Sequence, residues 1–531
     1  MHFVAAVASG LALWLAFPGF SIEFLAWVAM APLIHAVTDG ISLRKAFLLG
    51  WITGIVFTFL AENWIAYSMT HFGGFLTVVA YAVALLFAAI LAIFPALFAM
   101  LLAHTYARFG AWALAGAPAL WVATEWLRPL VTGVTWNALG VSQYEHYSIA
   151  RLSQFGGAYI ISWQIISLSA IVVLLARLKS KNVRSAVAAV MMMLVAPFLL
   201  SHDRAENVAE LRVAVVQPNI SIEGFGSPDR FRQNFEKVLE LTRKAVREAP
   251  PNAKPELIVW AESPLSLPLD SDAGVREAVE GLAKETGCHI IANTISRSGE
   301  EYFNSVNTVA PDPERYKASP LRRYDKIRLV PFGEYVPFRA VLGRFVPTIV
   351  GDFSAGHEAT VNTLRMESTR EGVALGEVSE YQIQRETKYV KTGAFICYEA
   401  AYPNLIRQFV RNGATLLVNV SDDAWFGNTS GPKQHLAHAC MRAIENDRDI
   451  VRVTNSGISA LVTSEGQILD PLPQFIEGSK VWSARTRNTR TFYSRHGDVF
   501  AIVCAALAAV SVGLAIWGRF QLSQHRRDMV D

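Results

Sequence analysis

Apolar residues run almost unbroken through the first 200 positions, come in short bursts between 205 and 495, and return as a single run at 498–517. A helix that crosses a bilayer needs about 20 mostly apolar residues. Runs at 3–17, 22–38, 46–67, 75–104, 111–128, 157–176, 184–200 and 498–517 fit that pattern and predict membrane spans. The first two are short and separated by Pro18-Gly19, which predicts a tight hairpin. The fourth is long and contains Pro95, which predicts a kink. The first run is read as a retained span rather than a cleaved leader, because no basic leader precedes it and the apolar pattern resumes at once.

Between 205 and 495 the period switches repeatedly between strand and helix. LRVAVVQ (211–217), ELIVWAES (256–263), CHIIANT (288–294), FNSVNTVA (303–310), TGAFICYE (392–399), TLLVNVS (415–421), IVRVTN and SALVTS read as strands. Residues 228–248, 272–286, 402–411 and 432–447 carry helical periodicity. Repeated strand–helix units with apolar central strands predict an α/β layered domain. The expected organisation is a helical bundle of about seven spans at 1–200, a soluble domain at 205–495, a C-terminal span at 498–517 and a tail at 518–531.

Composition agrees. The 531 residues are 52% hydrophobic and 18% charged, against about 25% charged in globular chains, and mean hydropathy is +0.28. The net charge of +3 and the lack of a basic stripe interleaved with aromatics give no case for nucleic acid. Cysteines at 288, 397, 440 and 504 form neither a CxxC pair nor a metal-ligand cluster. No metal or cofactor is expected.

Basic residues set the expected orientation. Arg44 and Lys45, Arg108, the group Arg177, Lys179, Lys181 and Arg184, and finally Arg519, Arg526 and Arg527 occupy alternate connections. Loop 68–74 has no Lys or Arg, and 129–156 holds only Arg151. Both termini are therefore expected in the cytoplasm and the soluble domain outside, in the periplasm of a Gram-negative cell. Glu62, Glu125 and Arg128 fall near outer span ends, where they either form structural contacts or shape an entrance for substrate.

Three positions carry candidate chemistry. Glu262 follows the apolar strand LIVWA, Cys397 follows AFI, and Lys326 lies in YDKIRLVPFGEYVPF. Strand C-termini gather at one edge of a parallel sheet, where α/β sites usually lie. A thiol beside a carboxylate and an ammonium suffices for nucleophilic acyl transfer: the carboxylate takes the proton, and the ammonium favours thiolate and steadies an oxyanion. Taken singly, each residue also reads as ordinary: a core thiol, a helix cap or surface group, a solvated lysine.

The local strings VWAES, YDKIRLVPFGEYVPF, ICYE and NVSDDAWFG together resemble the nitrilase, or carbon–nitrogen hydrolase, superfamily. With NWIAYSMTHFGG (63–74), PALWVATEWLR (118–128), GVSQY (140–144) and MRAIENDRDIVRVTNSGISA (441–460), nearly the full length is similar to the apolipoprotein N-acyltransferases. That resemblance implies an αββα sandwich attached to a polytopic bundle. It also implies Glu262 as general base, Lys326 as oxyanion support and Cys397 as nucleophile. Glu334 would orient the site, the Tyr398 N–H would donate to the oxyanion, and Glu399 would be a supporting residue of the site. The string that often reads NVSNDAWFG in that family has Asp422 before Asp423 here.

The implied reaction has two steps. Cys397 takes a fatty acyl group from a phospholipid, expected to be phosphatidylethanolamine at its sn-1 position, as a thioester. The α-amine of a diacylglyceryl cysteine at an apolipoprotein N-terminus then receives it. The expected setting is the bacterial inner membrane and the expected state a monomer. The alternative reading is a membrane-tethered amidase of the same superfamily, using the same three residues with water as acceptor.

Segment 336–353, with Leu342, Phe345, Val346 and Ile349, reads equally as a bilayer-dipping lid or as core packing. Trp425 and Phe426 either line an acyl pocket or fill the core. His435 and His438, three apart on a helix, are expected to make surface or hydrogen-bonding contacts rather than bind metal. Asp447, Arg448 and Asp449 are expected as a solvated helix end, Asn455 and Gly457 as a turn near the active edge. Cys397 is expected as a thiol rather than half of a disulfide.

Overall fold

A computed structural model describes residues 1–176, 209–222, 227–262, 267–312, 323–336, 352–370 and 384–527, with scattered helical positions between 185 and 192. The chain forms two compact units. One comprises Met1–Asp203, Phe426–Glu445 and Thr491–Asp531, and the other Arg204–Trp425 with Asn446–Arg490.

The first unit is helical. Its main elements are α1 (His2–Ala16), α2 (Ala31–Val37), α3 (Leu43–Ala61), α4 (Trp64–His71), α5 (Thr77–Leu91), α6 (Ile93–Phe109), α7 (Trp112–Thr132) and α8 (Ala158–Leu175). Stretches Leu43–Ala61, Thr77–Phe109, Ala158–Leu175 and Val499–Gly518 are long and apolar enough to cross a membrane, and His2–Ala16 and Glu23–Val37 are shorter apolar helices. The long fourth run breaks at Ala92, between α5 and α6. Pro95 explains the place: its ring clashes with the carbonyl four residues earlier, on Leu91. The run predicted at 46–67 is likewise two helices, α3 and α4. The span predicted at 184–200 lies largely outside the described residues, as do Arg177, Lys179, Lys181 and Arg184.

Small residues let α3 approach α6. A Cβ on Gly50 would sit 2.5 Å from Pro95 O, and one on Gly54 would sit 2.7 Å from Ala92 Cα. Close backbone approach at small-xxx-small positions replaces the hydrophobic drive that lipid cannot supply.

Among the described residues the second unit holds twelve strands. They are β1 (Ala209–Gln217), β2 (Leu257–Trp260), β3 (His289–Ser298), β4 (Glu301–Val309), β5 (Tyr324–Asp325), β6 (Val361–Arg370), β7 (Gln384–Ile396), β8 (Leu416–Ser421), β9 (Ile450–Thr454), β10 (Ser459–Val462), β11 (Ile468–Leu472) and β12 (Gly478–Thr486). Two six-stranded sheets have the orders β12-β1-β2-β3-β4-β5 and β11-β10-β9-β8-β7-β6. Each has a parallel centre, β1-β2-β3 and β7-β8-β9, flanked by antiparallel strands. The sheets face each other through contacts such as β1 with β9 and β4 with β7.

Helices α9 (Pro228–Glu248) and α10 (Ala273–Thr286) cover the first sheet, burying Phe235, Val238, Val279 and Leu282 against Val216, Ile258 and Ile290. Helix α11 (Pro403–Arg411) covers the second, its Phe409 set against Gly393 of β7. The layers match the expected α/β sandwich. Two later helices, α12 (Gly431–Asn446) and α13 (Val499–Arg527), belong wholly or mainly to the helical unit.

His289 opens β3, buried at 4% exposure, and burial pushes its pKa down to about 4. The unfolded value is about 6.5. Its stabilising contribution is therefore complete above pH ~6.5 and is lost as pH falls towards 4, by up to about 3 kcal/mol. In detergent, the thermal midpoint should fall less steeply between pH 6.5 and 4.5 in His289→Gln than in the parent chain; equal slopes would contradict this.

Candidate active site

Four strand ends converge in the sandwich unit. Apolar β2 is fully buried through Trp260, and Glu262 follows two residues later. Strand β7 delivers Cys397, β8 delivers Asp422, and β5 delivers Lys326. Strand β2, strand β8 and the Thr392–Ile396 end of β7 are buried, so the backbone fixes where Glu262, Asp422 and Cys397 emerge.

Lys326 is only 1% exposed. Its Nζ lies 2.9 Å from Glu334 Oε1 and 3.6 Å from Glu262 Oε1. Asn304, on β4, donates through Nδ2 to both carboxylates, at 3.0 Å to Glu262 Oε1 and 2.8 Å to Glu334 Oε1. The Asp422 N–H donates to Glu262 Oε2 at 3.1 Å, and the Val330 N–H to Glu334 Oε2 at 2.8 Å. Burial works against the ammonium, but the two carboxylates outweigh it and hold the Lys326 pKa above its ordinary value. A buried cation between two anions is thus fixed in charge and in place.

Cys397 begins the tight turn Cys397–Ala401 with φ +51°. A non-glycine residue in that region costs about 1–2 kcal/mol, and such strain gathers where a side chain must be presented. Glu399 holds the turn. Its Oε2 accepts from the Ile396 N–H at 2.8 Å, and its Oε1 accepts from Tyr324 Oη at 2.7 Å, the Ile327 N–H at 2.8 Å and the Arg328 N–H at 3.0 Å. One buried side chain therefore braces both the cysteine turn and the lysine segment. Burial raises the Glu399 pKa while these donors act the other way.

Burial and then the negative Glu262 push the Cys397 thiol well above its ordinary value, against Lys326 and a hydrogen bond with Ser421. This differs from the expectation that the ammonium would leave a thiolate at rest. Burial in the site therefore weighs against a thiolate.

Beneath the site, Arg452 of β9 pairs with Asp423 at 2.7 Å and also donates to Asn419, all buried. Gly457 leaves room for this: a Cβ there would lie 2.3 Å from Asp423 Oδ2.

A family model for the apolipoprotein N-acyltransferase N-terminal domain matches residues 9–171, and one for carbon–nitrogen hydrolases matches residues 212–488. The apolipoprotein N-acyltransferase of Geobacter metallireducens is 33% identical, covering 97% of this chain and 95% of its own. This chain belongs to the apolipoprotein N-acyltransferase family. The family members of Pasteurella multocida and Shewanella oneidensis are 29% and 30% identical over 94% and 96% of this chain, covering 92% and 95% of their own. The chain is an acyltransferase and a bacterial membrane protein, with a helical N-terminal part and a nitrilase-like α/β domain.

Within this apolipoprotein N-acyltransferase fold, Glu262, Lys326, Glu334, Cys397 and Glu399 come together. Tyr398 packs edge-on against Tyr402 with ring centroids 5.2 Å apart. Phe426 lies in the helical unit, edge-on to Trp64 at 4.7 Å, while the half-buried Trp425 belongs to the sandwich. Leu342, Phe345, Val346 and Ile349 lie outside the described residues. All four cysteines are thiols rather than disulfides, and no metal-binding cluster occurs among the described residues.

The hydrogen-bonding reading of His438 and the structural reading of Glu125 and Arg128 agree with their contacts, and the solvated reading of 447–449 does not. His435 and His438 are buried; His438 Nε2 accepts the Asn137 N–H at 3.3 Å and its ring packs 4.7 Å from Trp136. Asp447, Arg448 and Asp449 are buried rather than solvated. Arg448 donates to Ala414 O, Asp447 O and Thr489 O, Asp447 pairs with Arg487 at 3.1 Å, and Asp449 accepts from the Ser464 and Arg485 N–H groups. Burial pulls the Arg448 pKa down to about 10. In the bundle, Glu125 accepts the Leu139 N–H at 2.7 Å and Arg128 donates to Trp136 O at 2.7 Å, so both hold the loop after α7.

Asn304 and Ser421 were missed. The available signal was an asparagine at an inward position of a buried strand, which demands partners.

Two outcomes follow from the bracing. Glu399→Gln turns an acceptor-only group partly into a donor facing N–H groups, at about 1–3 kcal/mol per unsatisfied contact. Acyl transfer should fall at least tenfold with a lower thermal midpoint; parent-like values of both would contradict the bracing role. Gly457→Ala should lower stability and activity together by displacing Asp423, and an unchanged melting curve would count against that packing.

Proposed function

We propose that Cys397, Glu262 and Lys326 carry acyl transfer from a phospholipid to the α-amine of an apolipoprotein's N-terminal diacylglyceryl cysteine. What supports this is the coupling of one sulfur to both a carboxylate and a fixed ammonium. Phosphatidylethanolamine is the proposed donor, and no cofactor is needed.

In the first half, Glu262 takes the thiol proton as Sγ attacks the ester carbonyl. Lys326 and the Tyr398 N–H steady the oxyanion. As the C–O bond breaks, Glu262 returns the proton to the leaving glycerol oxygen, giving a lysophospholipid and a thioester on Cys397. In the second half, the neutral amine attacks the thioester, Glu262 removes its extra proton, and that proton restores the thiol as the amide forms. Asn304 holds Glu262 and Glu334 on the same side of Lys326 throughout.

The proposed setting is the bacterial inner membrane, with about seven spans before a periplasmic domain, one span after it, and both termini in the cytoplasm. Arg44, Lys45, Arg108, Arg519, Arg526 and Arg527 support that orientation. The enzyme is proposed to act as a monomer.

Purified protein exposed to phospholipid should gain an acyl mass on the peptide containing Cys397. Hydroxylamine should release it, and Cys397→Ala should lack it. Adding a diacylglyceryl-cysteine peptide should move the acyl group to its amine. Release as free fatty acid instead would favour the amidase reading, and undiminished transfer by Cys397→Ala would overturn both.

A further inference from the structure

Asn304 can serve the site in only one orientation. Its carboxamide presents Nδ2 to Glu262 and Glu334, and its backbone carbonyl accepts the Lys326 N–H at 2.8 Å. One residue thus touches three members of the site. A carboxamide has a donating end and an accepting end of nearly the same shape. Turned over, it would set Oδ1 against two carboxylate oxygens at the separations where Nδ2 now donates. That is acceptor against acceptor in a buried space, where an unmet polar contact is costly.

Asn293 sets that orientation. It lies on β3, and Val306 faces it across the ladder between β3 and β4. Asn304 stands two residues before Val306 on the same face, so it is the diagonal neighbour of Asn293 and within reach of a side chain. Asn293 Nδ2 donates to Asn304 Oδ1 at 2.7 Å and to Ser305 O at 3.0 Å. The second contact fixes the first. A backbone carbonyl only accepts, so Asn293 must turn its NH2 to this side, and both of its hydrogens are then engaged. The order of constraint runs from Ser305 O to Asn293, from Asn293 to Asn304, and from Asn304 to the two acids. Both asparagines are 8% exposed, so water poorly replaces a lost partner.

We infer that Asn293 is a positioning residue for the reaction: by donating to Asn304 Oδ1 it locks the amide that holds Glu262 and Glu334 beside Lys326. It acts through Asn304. This rests on the reading of Glu262 as the base.

Two replacements separate this role from packing. Asn293→Asp keeps size and shape but removes the donor, and it turns an acceptor towards Asn304 Oδ1 and Ser305 O. Turning Asn304 over relieves the clash and spoils its contacts with both acids. Asn293→Ala removes volume and the donor but adds no acceptor, so the carboxylates still hold Asn304 the right way round in part. Packing alone ranks Asn293→Ala as the more damaging to turnover; orientation ranks Asn293→Asp so.

The test is acyl transfer from phospholipid in mixed micelles to a diacylglyceryl-cysteine peptide by the purified full chain. The variants are Asn293→Asp, Asn293→Ala, Asn304→Ala, the two double variants and Glu262→Gln. Turnover, kcat, should fall at least about tenfold in Asn293→Asp and about threefold in Asn293→Ala, with KM for phospholipid unchanged. In the Asn304→Ala background the same two replacements should change kcat by less than about twofold, because the group they act through is gone. Equal losses in both backgrounds, a smaller loss in Asn293→Asp than in Asn293→Ala, or a raised KM with parent-like kcat would each overturn the inference. Where Asn293→Asp or Asn304→Ala does not fold, Asn293→Ala decides, and a parent-like kcat there overturns it. An active Glu262→Gln would instead defeat the base assignment. An inactive Glu262→Gln with equal losses in both backgrounds would defeat this inference and leave that assignment standing.

Discussion

A lysine ammonium buried between two carboxylates is the constraint on which the site depends. Withdrawing each ion from water costs several kcal/mol, recovered only with close partners and filled hydrogen bonds. Lys326 has both, in Glu334 at 2.9 Å and Glu262 at 3.6 Å, with the Asn304 amide joining the two acids. Removing one member leaves an uncompensated charge in the interior, so the group stands or falls as a unit. The strand ends, the Glu399 brace and the Asp423–Arg452 pair all act to keep these few atoms in register.

That constraint shapes the chemistry. The ammonium is held charged by its two carboxylate neighbours, so in the proposed reaction it would answer negative charge on a carbonyl oxygen without moving a proton. The thiol is buried beside Glu262, and both burial and that neighbour push its pKa up, so in the proposed reaction its proton leaves as the sulfur attacks. A protonated resting sulfur is poorly reactive towards water-borne electrophiles, which suits an enzyme whose acyl donor is proposed to come from lipid. The proposed transfer asks Glu262 to accept and return one proton in each half, and its two oxygens are already oriented by Asn304 and the Asp422 N–H.

Much of this was legible in the sequence. Apolar bursts located the central strands, and strings such as VWAES and ICYE pointed to Glu262 and Cys397. Peripheral strands were harder: the first four positions of β12 are all half-buried, so no two-residue period shows there. Buried charge was least legible. Asp447, Arg448 and Asp449 read as solvent-facing because hydropathy scores a charge by its type, whereas the fold scores it by its partners, here Arg487, Thr489 and the Arg485 N–H. Asn304 escaped for the same reason: it matters through Glu262 and Glu334, tens of residues away.

The most direct measurement is the pH dependence of Cys397 alkylation by iodoacetamide, in a chain carrying Cys288→Ala, Cys440→Ala and Cys504→Ala. If the resting sulfur is a thiol held protonated by burial and Glu262, the rate rises continuously with pH and shows no plateau below pH 9. A plateau already reached at pH 7 would mean a standing thiolate, and would contradict proton transfer to Glu262 during attack.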